Sequence, residues 1–196
     1  MSDLSNLRIG FAVTGSFCTF EKAFEQAEQL RKDGAELIPV MSYNASSIDS
    51  RFGKAEDNIK RFEDICGHKV IRTIEDAEPI GPKNMTDIMI VCPCTGNTCA
   101  KLAMSITDTP VTMAVKSHLR NKRPVVIAAA TNDYLAGTMK NIGKLMNMKN
   151  YYFVPIYQDN CLKKPTSAIC DFTSVEQTIE NALNGVQTQP VIGCSL

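Results

Sequence analysis

Apolar runs that read as buried strands alternate along the chain with segments whose apolar positions recur every three or four residues. Residues 7–13 (LRIGFAV) predict a strand that ends in the polar turn Thr14-Gly15-Ser16. Phe20, Ala23, Phe24, Ala27 and Leu30 then share one face of a helix over 20–32, with Gly34 where a C-cap belongs. Residues 35–41 predict a second strand, and Pro39 assigns it to an edge or places its end there. A polar loop over 42–50 follows. Phe52, Ala55, Ile59, Phe62 and Ile65 predict a helix stopped by Gly67, and Val70-Ile71 a short strand. Residues 75–84 lack a period and carry Pro79, Gly81 and Pro82, which predicts a loop near the functional site.

The second half repeats the pattern. Residues 87–91 predict a strand, followed by a turn holding Pro93, Thr95, Gly96, Asn97 and Thr98, then a helix over 98–104. Thr109-Pro110 is an N-cap with proline at the first helical position, opening a helix to about residue 120. Residues 124–130 (PVVIAAA) predict a strand that ends in a third polar turn, Thr131-Asn132-Asp133, before a helix to about residue 148. A strand over 151–156, a long loop over 157–171 and a helix from the capping-box pattern at Ser174 to about residue 183 complete the order. Strand–helix alternation of this kind predicts one α/β domain over 1–196, with a core at about 7–184, a tail at 187–196 and a mainly parallel, doubly wound sheet. Ligands of such sheets bind beyond the carboxyl ends of the strands, where all three polar turns fall.

Composition narrows the function. The chain has 21 basic and 21 acidic residues, which gives no electrostatic case for nucleic acid or an anionic membrane surface. No apolar run reaches the ~20 residues that span a bilayer. The N-terminus lacks the basic and apolar regions of a signal peptide, so the eight cysteines are expected as reduced thiols in the cytoplasm.

The first turn carries neither G-x-G-x-x-G nor a P-loop motif. Hydroxyls and amides remain: Thr14, Ser16, Thr95, Asn97 and Thr98. Neutral donors at helix N-termini suit a phosphomonoester, and flavin mononucleotide (FMN) in a flavodoxin-like fold is such an occupant. Cys92, Cys94 and Cys99 follow C-x-C-x4-C, which matches neither zinc knuckles nor ferredoxin spacings, so they are read as core residues and no metal is expected. His68 and His118 are read as structural or surface residues, His118 at a helix end that favours a cation. The run 118–123 offers guanidinium groups to a carboxylate only as a minor reading. No general base is assigned; Asp133 and Tyr134 are candidates by location alone.

At the first two turns the sequence resembles the flavoprotein family that contains phosphopantothenoylcysteine decarboxylase, the lantibiotic cysteine decarboxylases and the prenylated-flavin synthases. The residues that carry this are Gly10-Phe11-Ala12-Val13-Thr14-Gly15-Ser16 and, against the pattern P-A-S-A-N-T-x-A-K-x-A, Pro93, Asn97, Thr98, Ala100, Lys101 and Ala103, followed by Ile106 and Asp108. The resemblance implies a flavodoxin-like, Rossmann-like three-layer fold, FMN in the crevice and a trimer-based homo-oligomer. It implies that Ser16, Thr95, Asn97 and Thr98 hold the phosphate and ribityl chain, that Thr14 and Gly15 shape the first turn, and that Asn132 faces the isoalloxazine or substrate. Over the whole chain the resemblance narrows to a branch that works with a second subunit similar to a nicotinamide-dependent dehydrogenase. That subunit would carry NAD(P). The pair would oxidise a dihydro precursor to an aromatic dicarboxylate in the mother cell of a sporulating bacterium. Two alternatives are a non-catalytic scaffold or substrate-binding subunit, and an autonomous FMN-dependent decarboxylase or flavin prenyltransferase. No histidine stands in 77–83, where the decarboxylases place one, and the third turn keeps only the asparagine of their P-x-M-N-x-x-M, so decarboxylation is not carried over.

Overall fold

The protein is described from a computed structural model covering residues 4–193. Strand β1 (Arg8–Val13) is buried from Ile9 onward on both faces, as a strand covered by helices on each side must be. It leads through a 3-10 turn, Phe17–Thr19, into α1 (Phe20–Lys32), which buries the five apolar positions of its expected face. β2 (Glu36–Met41) lies parallel to β1 at the sheet edge. There Pro39 lends its carbonyl to Ile71 N–H and has no N–H to leave unpaired. Short α2 (Tyr43–Ser47) and then α3 (Ala55–Cys66) follow. Phe52 falls outside α3: Phe52-Gly53 closes a turn, and the ring is half exposed beneath the Arg51 guanidinium. Ile71 makes a single bridge to Val40, and Val70-Ile71 does not form the expected strand.

After α4 (Ile74–Ala77) come the central strand β3 (Ile88–Cys94), α5 (Gly96–Ala103), α6 (Pro110–Leu119), β4 (Val125–Thr131) and α7 (Met139–Met146). β5 (Tyr151–Phe153), β6 (Ile156–Tyr157), β7 (Ala168–Cys170) and α8 (Val175–Leu183) finish the order. The strands form one seven-stranded sheet in the order β2-β1-β3-β4-β7-β6, with β5 also on β4. β4 holds β5 in parallel along its first half and the antiparallel β6–β7 hairpin along its end. One face is covered by α1, α3 and α8, the other by α5, α6 and α7. On the first face Phe62 of α3 meets Phe11 edge-on at 5.7 Å and stacks on Phe24 at 5.3 Å. The expected flavodoxin-like α/β architecture with a mainly parallel, doubly wound sheet is present.

Further local expectations are corrected. The expected strand over 151–156 is broken at Val154-Pro155, because its second piece turns away to pair with β7. β7 lies inside the segment read as a loop; three residues between polar neighbours give no period to detect. At Ser174 the cap is not its own: Ser174 Oγ donates to Asp171, which also accepts from Thr173 N–H and so starts the 3-10 turn Phe172–Ser174 ahead of α8. The segment 75–84 is not near the site. It forms helical turns that pack on α6 and enters β3 at its amino end. The basic run ends there too: Arg123 bonds the Thr86 carbonyl and sits 3.5 Å from Asp87, which pairs with Arg8 at 2.7 Å. Its guanidinium therefore faces the end of the sheet opposite the three turns. Residues 187–193, read as part of a tail, are tied down: the Gln187 side chain bonds Phe153 N–H and its carbonyl, and Ile192 bridges Ile156. Cys194, in the remainder of that stretch, lies outside the described residues.

Candidate functional site

The chain leaves β1 toward β2 on one side and returns to β3 on the other, so the strand order reverses between β1 and β3. A cleft of about 420 Å³ at the far end of β5 and one of about 390 Å³ beside Arg8 lie elsewhere. The cleft at the reversal measures about 350 Å³ and is walled by Thr14 and Gly15, by Ser42, Tyr43 and Asn44, and by Thr95, Asn97, Thr98 and Lys101. This is where an open α/β sheet binds its ligand.

Thr14 joins the first two turns. Its buried hydroxyl donates to the Pro93 carbonyl at 2.8 Å and accepts from Thr95 N–H at 2.9 Å, while its own N–H reaches the Pro93 carbonyl at 3.2 Å. Thr14→Val keeps the shape but orphans Thr95 N–H. We expect a loss of about 2 kcal/mol, read as a shift in the denaturation midpoint; an unchanged midpoint would show that the turns hold without the stitch. Thr95 caps α5 by accepting from Thr98 N–H and donating to Thr98 Oγ1. Among the described residues, no turn or cap hydrogen bond uses the backbone N–H groups of Gly15, Gly96 or Asn97. Gly96 and Asn97 are the first two residues of α5, where N–H groups have no partner within the helix.

Five of the seven residues singled out from the sequence, Thr14, Gly15, Thr95, Asn97 and Thr98, are brought to this cleft. Ser16 follows directly, half-buried at the start of the 3-10 turn. Asn132 is exposed on the third turn, outside the cleft walls, its carbonyl accepting from Thr166 Oγ1. Sequence reasoning missed the wall made by Ser42, Tyr43 and Asn44. Ser42 caps α2 by accepting from Ala45 N–H, so a serine directly after a strand was the available signal. It also missed the pair formed by Lys101 with both carboxylate oxygens of Asp108 at 2.8 Å, which holds the Asp108 carboxyl below its usual range. Lys101 is thereby neutralised within the cleft.

The two candidate bases fall away. Asp133 is held by the hydroxyls of Thr131 and Thr138, and the Thr131 hydrogen bond leads in keeping it ionised below the usual carboxylate range. A carboxylate so stabilised is a poor proton acceptor. Tyr134 is fully buried, its hydroxyl without a partner, and burial pushes its ionisation up, with Cys99 and Cys170 adding to the shift. Cys92, Cys94 and Cys99 are fully buried as expected of core residues, with the Cys94 and Cys99 sulfurs 3.5 Å apart.

The cleft's chemistry is hydroxyls, the carboxamides of Asn44 and Asn97, the Lys101–Asp108 pair and unpaired N–H groups at a helix start. Such a donor set fits a phosphorylated, otherwise neutral ligand such as FMN. The profile of the Flavoprotein family matches residues 1–184. The chain belongs to the Flavoprotein family. Within it, the chain is 45% identical over 192 residues to the B subunit of dipicolinate synthase from Bacillus subtilis, covering 98% of this chain and 96% of that one. The crystal structure of the B subunit of dipicolinate synthase from Bacillus halodurans superposes with a TM-score of 0.90 at 37% identity over the whole of both chains. At 18% identity, DmrB of Burkholderia xenovorans in complex with FMN shares the fold, with a TM-score of 0.68 over 92% of this chain and 97% of its own. In a flavoprotein the cofactor, when bound, supplies two-electron transfer that side chains cannot. The amides and hydroxyls of the two stitched turns are the groups of this chain that would seat it. Among the described residues no helix is long and apolar enough to cross a membrane.

Proposed function

We propose that this chain is the FMN-binding subunit of a dipicolinate synthase. It works with a separate A subunit, which carries NAD(P), to oxidise a dihydrodipicolinate precursor to dipicolinate in the mother-cell cytoplasm during endospore formation. Ser16, Thr95, Asn97 and Thr98 hold the phosphate and ribityl chain, Thr14 and Gly15 shape the first turn, and Asn132 faces the ring system or substrate. The chain acts as one domain and assembles as a trimer-based homo-oligomer around a small dicarboxylate substrate. The observation that carries the reading is the Thr14 stitch, which fuses two amide-rich turns into one cleft at the strand-order reversal. The likeness to the B subunit of dipicolinate synthase along 98% of the chain supports the choice of reaction.

The test is the visible flavin spectrum of the purified chain after incubation with FMN and desalting. Retention supports the reading; loss of all flavin favours a scaffold role. Activity of the chain alone, without its partner, counts against the two-component assignment. Ser16→Asp brings a carboxylate to the first turn and is expected to weaken FMN binding about a hundredfold. Unchanged affinity would move the phosphate elsewhere.

A further inference from the structure

Gly96, the first residue of α5, faces the third turn with no room to spare. A Cβ there would lie 2.4 Å from Thr138 Oγ1, 2.9 Å from Asp133 Oδ1 and 3.0 Å from Thr131 Oγ1. Those oxygens form one unit. Thr131 Oγ1 donates to Asp133 Oδ1 at 2.5 Å and Thr138 Oγ1 donates to the same oxygen at 2.8 Å. The N–H groups of Ala136 and Thr138 close the turn on the Asp133 carbonyl at 3.0 and 3.2 Å. Both side-chain donors are neutral, so they hold the carboxylate without cancelling its charge. The charge sits at the start of α5, where the backbone dipoles favour it. Gly96 is flanked by Thr95 and Asn97, which line the cleft.

Resting on the flavin reading above, we infer that Asp133 is a positioning residue with an electrostatic role. Through the slot that only glycine leaves open at 96, it seats the second turn, and it keeps an uncancelled negative charge beside the cofactor. Reduced FMN carries more negative charge than oxidised FMN, so this charge weakens binding of the reduced form relative to the oxidised form. Asp133 thereby tunes which redox state the chain holds.

Asp133→Asn is isosteric and keeps an acceptor for both threonine hydroxyls. The thermal midpoint of the cofactor-free chain is expected to move by less than about 3 °C. The ratio of dissociation constants for oxidised and reduced FMN is expected to shift about tenfold toward the reduced form, ~30 mV in a two-electron couple. Asp133→Glu keeps the charge but not the slot. It is expected to weaken both redox states alike and leave the ratio near wild type. An unmoved ratio in Asp133→Asn, a failure of that variant to fold, or the same ratio shift in Asp133→Glu each makes Asp133 a brace of the fold and overturns the inference. A wild-type chain that binds no FMN defeats the flavin reading itself, whereas FMN binding with an unmoved ratio defeats this inference alone.

Discussion

Gly81→Ala is expected to lower the stability of the protein by about 4 kcal/mol, above the usual overpacking range because the clash is with backbone. In a chain of this length that corresponds to a thermal midpoint lower by roughly 10 °C. Gly81 has ordinary helical backbone angles, φ −74° and ψ −57°, so the requirement is one of space rather than conformation. A Cβ there would lie 2.0 Å from the Ser117 carbonyl oxygen, 2.8 Å from its carbon and 2.9 Å from Arg120 Cδ. The arginine can swing aside, but a carbonyl in the last turns of α6 cannot. Relief requires the 78–81 turn to lift off α6, which also strains the hydrogen bonds from Gly81 N–H to Ser117 Oγ and from Asn121 Nδ2 to the Gly81 carbonyl, each 2.8 Å. Because this contact lies at the end of the sheet opposite the cleft, FMN affinity of the folded fraction should be unchanged. A midpoint within about 2 °C of wild type would show that the two segments separate easily.

That contact also marks a limit of sequence reading. Pro79, Gly81 and Pro82 announce an irregular segment but not which element it will lean on, and here the glycine answers to Ser117, 36 positions later. The sheet was legible because its central strands are covered on both faces and so read as unbroken apolar runs, as at Ile88–Cys94. β7 was not, because three residues held by partners distant in sequence carry no pattern of their own. At the cleft, five residues were accessible from hydroxyls and amides placed directly after strands. The Ser42 wall obeyed the same rule and was passed over as loop. The role of Asp133 was hidden because it depends on Gly96, Thr131 and Thr138 meeting across two turns. Helix-end position was misleading in one case: His118 stands in the last turn of α6, which argues for a cation, yet tertiary packing buries it.

The consequence of that burial is a pH dependence of stability. His118 Nε2 lies 3.0 Å from the Pro124 carbonyl, which can only accept, so Nε2 carries the proton. Nδ1 then accepts from Thr86 Oγ1 at 2.7 Å, and the neutral ring is fully satisfied. Protonating Nδ1 would reverse the Thr86 bond, making its hydroxyl the acceptor, and place a charge in a site 1% exposed. Desolvation leads in pushing the His118 pKa down from 6.5 to about 4; the Arg123 guanidinium adds to this, while the Pro124 hydrogen bond and Asp87 oppose it. The folded-state value is below the unfolded one, so between them the unfolded chain binds more protons. The contribution is complete above pH 6.5 and is lost as pH falls through about 4. A shift of this size is worth about 3 kcal/mol at full expression. Denaturant unfolding followed from about pH 7 downward should show stability beginning to fall near 6.5, before the carboxylates titrate, and His118→Gln should remove that slope while lowering stability at neutral pH. If the wild-type free energy stays flat until about pH 4, the imidazole is taking up its proton in the folded protein, and α6 must be able to move away from the Thr86–Pro124 segment to let it.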